Sequence, residues 1–365
     1  MSPLWSVVLL PLVAFSVLAC PAWFGLRVSE SIASTAVVSA CALAAMAAAV
    51  PWSPDAILAG DWLARVFAAL TSVLGGLIGV FARRYLHRDP GYLRFYLLLA
   101  LFVAAVELVV LAHGLEHVLI GWEVCGLTSA LLIAFFHQRR GPVAHGLRAF
   151  ATYRLCDIAL VLAVALPGAS ASVTGVLLLI AAMGKSAQFP VGGWLPRAME
   201  GPTPSSAIFY GAISVSLGPY LLLHTRPLWD ASTVAHVAIV AVGAVTAIHA
   251  TIVRRVRTDI KSVLAYASMT QVALVFVEVG MGWTVVAVVH LVTHALTRTV
   301  QILRSPSLLH DHHRLEQRGL LRETGRVFGM LPAPARAWLY RFALESWYVD
   351  GLLGRVRDGA RRWSR

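Results

Sequence analysis

The chain has 365 residues, of which 58% are hydrophobic and only 13% are charged, with a mean hydropathy of +0.74. Soluble domains carry about 25% charged residues, so the composition excludes a soluble enzyme and points to an all-α integral membrane protein. The net charge of +12 does not indicate a nucleic-acid partner, because the basic residues fall in short clusters between apolar runs, as membrane topology requires.

A spanning helix needs about 20 mostly apolar residues. About eleven such segments follow one another, at 4–26, 31–50, 62–82, 95–112, 117–136, 148–166, 174–196, 205–224, 232–252, 259–281 and 283–304. The first has no basic stretch ahead of it and is predicted to be a spanning helix rather than a cleaved signal. The third holds GGLIG at 75–79, glycines expected to pack helices closely rather than to hold phosphate. Glu107 falls on the fourth segment, Glu123 on the fifth and Asp157 on the sixth. His236 and His249 fall on the ninth, and Glu278 near the end of the tenth. On the eleventh, His290, His294 and Arg298 recur at one-turn spacing on one face. Cys20, Cys41, Cys125 and Cys156 all lie in apolar segments without ligand spacing and are expected to be small buried hydrophobes.

The seventh segment, LLLIAAMGKSAQFPVGGWLPRAMEGPTP at 177–204, is different. Lys185 stands in its middle, and Gly184, Pro190, Gly192, Gly193 and Pro196 interrupt the helix around it. Broken helices are tolerated at membrane depth only where they line protein or a wet cavity, and such breaks expose backbone groups that hold ions and water. Of the thirty Lys and Arg residues only Lys185 and Lys261 are lysine, and both lie within or at the end of a spanning segment. Arginine stays protonated, whereas a buried lysine can release its proton. Carboxylate, lysine and histidine recurring on consecutive helices are the composition of a proton relay.

Orientation follows from the arginines. With the N-terminus outside, the inner loops hold Arg27; Arg83, Arg84, Arg88 and Arg94; Arg139, Arg140 and Arg148; Arg197; and Arg254, Arg255 and Arg257. The outer side keeps Arg65 and Arg226, so the arginine-rich tail is expected to be cytoplasmic, in a cell inner membrane. Residues 333–360 space Trp338, Leu339, Phe342, Tyr348, Val349, Leu352, Leu353 and Val356 as an amphipathic helix on the inner leaflet or on a neighbouring subunit. HDHH at 310–313 is read as a solvated loop, since no further metal ligands stand at a recognisable spacing, and no metal or cofactor is expected.

Five stretches carry a family resemblance: GWEVCGLTSALLIAFF (121–136), YRLCDIALVLA (153–163), AAMGKSAQFPVGGWLPRAMEGPTPSSA (181–207), RTDIKSVLAYASMTQ (257–271) and VVHLVTHALTRTVQIL (288–303). In this order they resemble the antiporter-like membrane subunits, which include the largest such subunit of respiratory complex I and the large subunit of multisubunit sodium/proton antiporters. The resemblance covers about residues 60–304. It implies two inverted five-helix repeats, each with a broken helix. It implies that Glu123 pairs with Lys185, and that Lys261, His290 and His294 belong to a central polar axis. Asp157 matches the aspartate of the family's NRxGD, with Cys156 in place of the glycine. The organisation implied is three helices in 1–94, a first repeat in 95–225 with its break in 174–196, a partial second repeat in 232–304 and a tail in 305–365.

There are departures. SAIFYGAIS at 206–214 has Tyr210 where the family usually has histidine, and Arg298 replaces a family lysine. The family continues past HD with further spans, so a truncated second repeat is expected here, while ESWYVDGLLGRV at 345–356 resembles a segment near the C-terminus of longer relatives. The resemblance implies a proton-translocating subunit, without redox or hydrolytic chemistry of its own, that works with a partner subunit. The variant PSSAIFYGAISVSLGPYLLL at 204–223 and the missing spans together resemble the membrane half of two-component inorganic-carbon systems, whose cytoplasmic partner is a large zinc protein. A proton-pumping subunit of a complex I-like or hydrogenase-like assembly, a sodium/proton antiporter subunit and a non-conducting anchor remain the alternatives. The partners implied are lipid, protons or sodium, and that further subunit.

Overall fold

The computed structural model describes residues 4–50, 57–257, 259–305, 333–344 and 347. The first six helices are α1 (Trp5–Trp23), α2 (Glu30–Ala49), α3 (Trp62–Tyr85), α4 (Tyr92–Leu111), α5 (Leu115–Ile133) and α6 (Arg140–Ala165). Next come α7 (Ala171–Lys185), α8 (Thr203–Ser206), α9 (Leu217–His224) and α10 (Arg226–Trp229). The long helices α11 (Thr233–Arg254), α12 (Ile260–Gly280) and α13 (Thr284–Arg304) follow, and α14 (Ala333–Leu344) lies beyond them. Helix starts are chemically marked. Ser29, Asp61, Ser170, Ser232 and Asp259 each turn a side-chain oxygen onto the amide three residues on, capping α2, α3, α7, α11 and α12. Among the described residues the only β pairing is the isolated bridge Leu58–Ala112, which ties the approach to α3 onto the end of α4.

Each of the eleven predicted segments contains helix. Among the described residues nine stretches are long and apolar enough to cross a membrane: α1 to α5, the composite Thr203–His224, and α11 to α13. The other two differ for stated reasons. α6 carries Arg148, Arg154 and Asp157 along its length, and α7 stops after 15 residues at Lys185. α1 packs on α2 and α4, α2 along α3, α4 along α5, α6 along α7, and α11 along α12. Faces away from these contacts carry exposed apolar side chains, such as Val13 and Val17 on α1 and Val285 and Val289 on α13, as lipid-facing surfaces do.

α7 breaks where the glycines and prolines predicted a break. Ala187 takes a left-handed backbone (φ 53°), the Phe189–Pro190 bond is cis, and the chain continues in two short 3₁₀ turns, Val191–Trp194 and Arg197–Glu200. The freed backbone groups are taken up by protein rather than lipid. The Gly184 carbonyl accepts Trp194 Nε1–H at 3.1 Å, the Met183 carbonyl accepts the Gln188 amide at 2.9 Å, and the Phe189 amide donates to Thr246 Oγ1 at 3.0 Å.

A second interruption was not foreseen. The segment 205–224, expected as a plain span, runs as α8, a π-helical turn Ala207–Ala212, a 3₁₀ turn Ser214–Ser216 and then α9. The cause is close packing against the first break. Ser186 Oγ donates to the Val215 carbonyl at 2.6 Å and accepts the Gly218 amide at 3.1 Å, and a Cβ on Gly218 would stand 2.1 Å from that oxygen.

The tail expectation is tested only in part, because 306–332, 345–346 and 348–365 (HDHH included) lie outside the described residues. α14 packs against α11 of this same chain, and Arg257 Nη2 donates to the Leu344 carbonyl at 3.2 Å. The Trp347 ring lies 5.3 Å from Phe342, 4.8 Å from His249 and 5.5 Å from Phe189, between centroids, so it sits beside the break in α7.

Candidate functional site

The break leaves Lys185 as the last residue of α7, wholly buried. Its ammonium donates to the Trp122 carbonyl of α5 at 3.0 Å and lies 4.5 Å from the centre of the Tyr153 ring and 5.2 Å from that of Trp122. One carbonyl and two aromatic faces thus stand in for the water the ammonium has lost. Space for it is made by Gly126, one turn along α5, where a Cβ would stand 2.5 Å from Nζ.

α6 supplies the opposing charge. Asp157, 2% exposed, accepts Trp122 Nε1–H at 2.6 Å on one oxygen and Arg154 Nη2–H at 2.8 Å on the other. Trp122 thus bonds both groups, its indole N–H to the Asp157 carboxylate and its carbonyl to the Lys185 ammonium. Arg154 is ion-paired with Glu123 on its other side.

This corrects the expected Glu123–Lys185 pair. The Glu123 side chain is 30% exposed and turns to Arg154, whereas Lys185 points into the buried interior between Trp122 and Tyr153. Adjacent helical residues project about 100° apart, so Trp122 and Glu123 serve different neighbours. Glu123, Arg154 and Asp157 form one line of ion pairs, and Trp122 joins it to Lys185, its indole N–H on Asp157 and its carbonyl on the ammonium. Arg154 escaped sequence reading although its signal was present, as an arginine three residues before Asp157 within a spanning helix. Cys156, in place of the family glycine, lies against Gly184, where a Cβ would meet its own Cβ at 2.6 Å.

A second polar group lies between α12 and α13. His290 Nδ1 bonds Glu278 Oε1 at 2.8 Å, and its Nε2 bonds Gln271 Oε1 at 3.0 Å. Glu278 and His290 were both singled out in the sequence, and Gln271 was not. His294, one turn on, is 4% exposed with Nε2 unpartnered, and Arg298 reaches Gln301 Oε1 at 2.8 Å. Lys261 is not among them. It stands in the first turn of α12, about 25 Å along the axis from Glu278 at 1.5 Å per residue. There it lines a cavity of about 320 Å³ with His145, Glu200, Arg197 and Tyr266. The expected axis is therefore a row of separate stations rather than one cluster.

Glu107 of α4 is fully buried away from both groups, and Ser72 Oγ of α3 donates to its Oε1 at 2.6 Å. Pro190 and Pro196 flank the first 3₁₀ turn of the break. The backbone of Tyr210 lies in the π-helical turn, and its side chain is outside the described residues. A buried lysine at a helix break, beside a carboxylate–arginine–carboxylate row and joined to it by one tryptophan, can hold a proton and shift the balance of charge when it leaves.

Residues 167–344 match the family model described as NADH:quinone oxidoreductase/Mrp antiporter, TM, and residues 53–96 match that of NADH-Ubiquinone oxidoreductase (complex I), chain 5 N-terminus. The chain is 33% identical over 294 residues to NADH-quinone oxidoreductase subunit L of Mycobacterium tuberculosis, covering 74% of this chain and 46% of that protein. It is 31% identical over 288 residues to NADH-ubiquinone oxidoreductase chain 5 of Halichoerus grypus, covering 74% and 47%. Among solved structures it is similar to the Mrp complex from Dietzia sp. DQ12-45-1b, with a TM-score of 0.73 and 26% identity, covering 81% of this chain and 37% of that one. The chain spans about half the length of the curated relatives it matches.

Proposed function

The chain belongs to the antiporter-like membrane subunits of the NADH:quinone oxidoreductase and Mrp antiporter family, and from this we propose that it translocates protons within a larger complex. One observation carries the reading: Lys185, wholly buried at a helix break, is joined through Trp122 to the ion-paired Asp157, Arg154 and Glu123. A cation at such depth costs roughly 2.5–3.5 kcal/mol on insertion scales, which a purely structural residue would avoid. Lys185, Asp157, Arg154 and Glu123 are the core of the path in this reading. Lys261, His294, His290 and Glu278 are stations beyond it, and Arg298 is a fixed charge that does not exchange protons. The arginine asymmetry supports an outside N-terminus in an inner membrane.

The process served is the finer part of the proposal. The relatives named above are oxidoreductase and antiporter subunits, which favours a complex I-like or Mrp-like assembly. The coupling to inorganic-carbon uptake is suggested by the stretch 204–223 and not by those relatives. Gentle detergent extraction of the tagged protein, followed by mass spectrometry, separates the two: redox or other antiporter-like subunits fit the first, and a large zinc protein fits the second. Proton translocation itself is tested by Lys185→Ala, expected to abolish coupled proton movement while the complex still assembles. Full activity in that variant overturns it and leaves a non-conducting anchor, for which Glu123→Gln is silent too.

A further inference from the structure

Helices that border lipid turn apolar side chains outward. On α11 the outward stripe is Val234, Val237, Ala241, Val245 and Ile248, at steps of three and four residues. α13 repeats that spacing with different chemistry. His290, Thr293, Thr297, Gln301 and Arg304 share one outward face, and all but the partly buried His290 are exposed. The stripe is about 21 Å long at 1.5 Å per residue, against a hydrocarbon core of about 30 Å. α12 widens it, because Gln271 and Glu278 reach His290 from that side.

Part of this polarity is met within the chain. His290 has both ring nitrogens bonded, and the Thr297 hydroxyl turns back to the Thr293 carbonyl at 2.8 Å. The rest is not. Gln271 and Gln301 use their side-chain carbonyls, toward His290 and Arg298, and their amide nitrogens meet no acceptor among the described residues. Arg298 meets only the neutral Gln301, and neither it nor Arg304 has a carboxylate partner among the described residues. An arginine at a helix end can snorkel to the head groups, which accounts for Arg304 alone. Gln271 and Thr293 lie near the middle of their helices, and polar side chains at that depth face protein or water rather than lipid.

The chemistry of the stripe selects what covers it. Residues 305–365 contain no apolar run of spanning length, so they supply no membrane helix to lie along it. A second copy on the same face, related by a twofold axis, would set Arg298 and Arg304 against their own equivalents. A spanning helix of a different protein, with carboxylates level with the two arginines, satisfies both the charges and the glutamine amides. We propose that the outward face of α13 is the docking surface for such a helix. The inference rests on the reading above that the chain works within a larger complex, and it names the surface that complex uses.

The test uses the full chain in its native membranes. Benzoylphenylalanine, a photo-crosslinking residue, is placed at position 293 or 297, and as controls at position 237 or 245 on the apolar stripe of α11. Adducts are mapped by mass spectrometry. Adducts from 293 and 297 to one acidic-residue-bearing spanning segment of another protein, absent from the controls, are expected. Arg298→Gln combined with Arg304→Gln should lower their yield about tenfold. Arg304→Gln alone, at the exposed end of α13, reads the same charge if the double variant does not fold. Adducts confined to lipid, to a second copy or to residues 305–365 overturn the proposal, as does a protein adduct indifferent to both charge variants. Crosslinking needs no proton movement. Full activity in Lys185→Ala therefore sinks the function proposed above and leaves this surface standing, whereas lipid adducts beside an inactive Lys185→Ala do the reverse.

Discussion

Gly126 and Lys185 make a sharp pair at the scale of single residues. A methyl group at 126 occupies the place of the ammonium, with 2.5 Å between Cβ and Nζ. Gly126→Ala is expected to push Lys185 off the Trp122 carbonyl and off the Tyr153 face, at an overpacking cost of about 1–3 kcal/mol. Proton flux should fall more steeply than the melting temperature in detergent. Arg154 carries a different expectation, because it separates two carboxylates. Arg154→Gln leaves Asp157 buried against an incomplete shell, a loss of up to about 3–5 kcal/mol for a buried pair, less here because Arg154 is 35% exposed. Adding Asp157→Asn to that variant should recover stability but not transport. If it recovers both, the line of charges is structural only.

At the scale of elements, the two interruptions support each other. The break in α7 is held by hydrogen bonds from the neighbouring segment, with Ser186 bonded on both sides to the 3₁₀ turn and to α9. Ser186→Ala strands the Gly218 amide and the Val215 carbonyl and should cost about 1–3 kcal/mol, read as a lower unfolding temperature. The connection between α10 and α11 gives a pH expectation. The Arg226 guanidinium beside Asp230 holds that carboxyl below the usual carboxylate range. Because its pKa is lowered by folding, the stabilisation is present above the unfolded value and is lost as pH falls through the folded one. Asp230 is half exposed, so the effect is small. The wild type should lose its margin over Asp230→Asn as the medium is acidified below the ordinary aspartate range, measured by thermal unfolding.

For the whole molecule, the described piece of the tail bears on the bundle itself. Trp347 touches Phe189 at the break and His249 on α11, so Trp347→Ala should destabilise by up to about 3 kcal/mol and Trp347→Phe by less, measured by thermal unfolding. Equal stability of the two variants would mean that the tail serves a partner rather than this bundle.

Much of this protein could be read from composition and spacing. Apolar runs of spanning length have few arrangements open to them in lipid, where every backbone group must be paired within a helix or by protein. The helix order, the break after Gly184 and the placing of Lys185 at that break follow from that constraint and from the glycines and prolines of 184–196. Which charge meets which was decided only in three dimensions. The family resemblance implied Glu123 and Lys185 as partners, yet Arg154 of α6 takes Glu123 while Lys185 bonds the Trp122 carbonyl. Likewise, the π-helical turn at Ala207–Ala212 and the isolation of Glu107 depend on how closely neighbouring helices approach, a property of packed surfaces that no single segment carries.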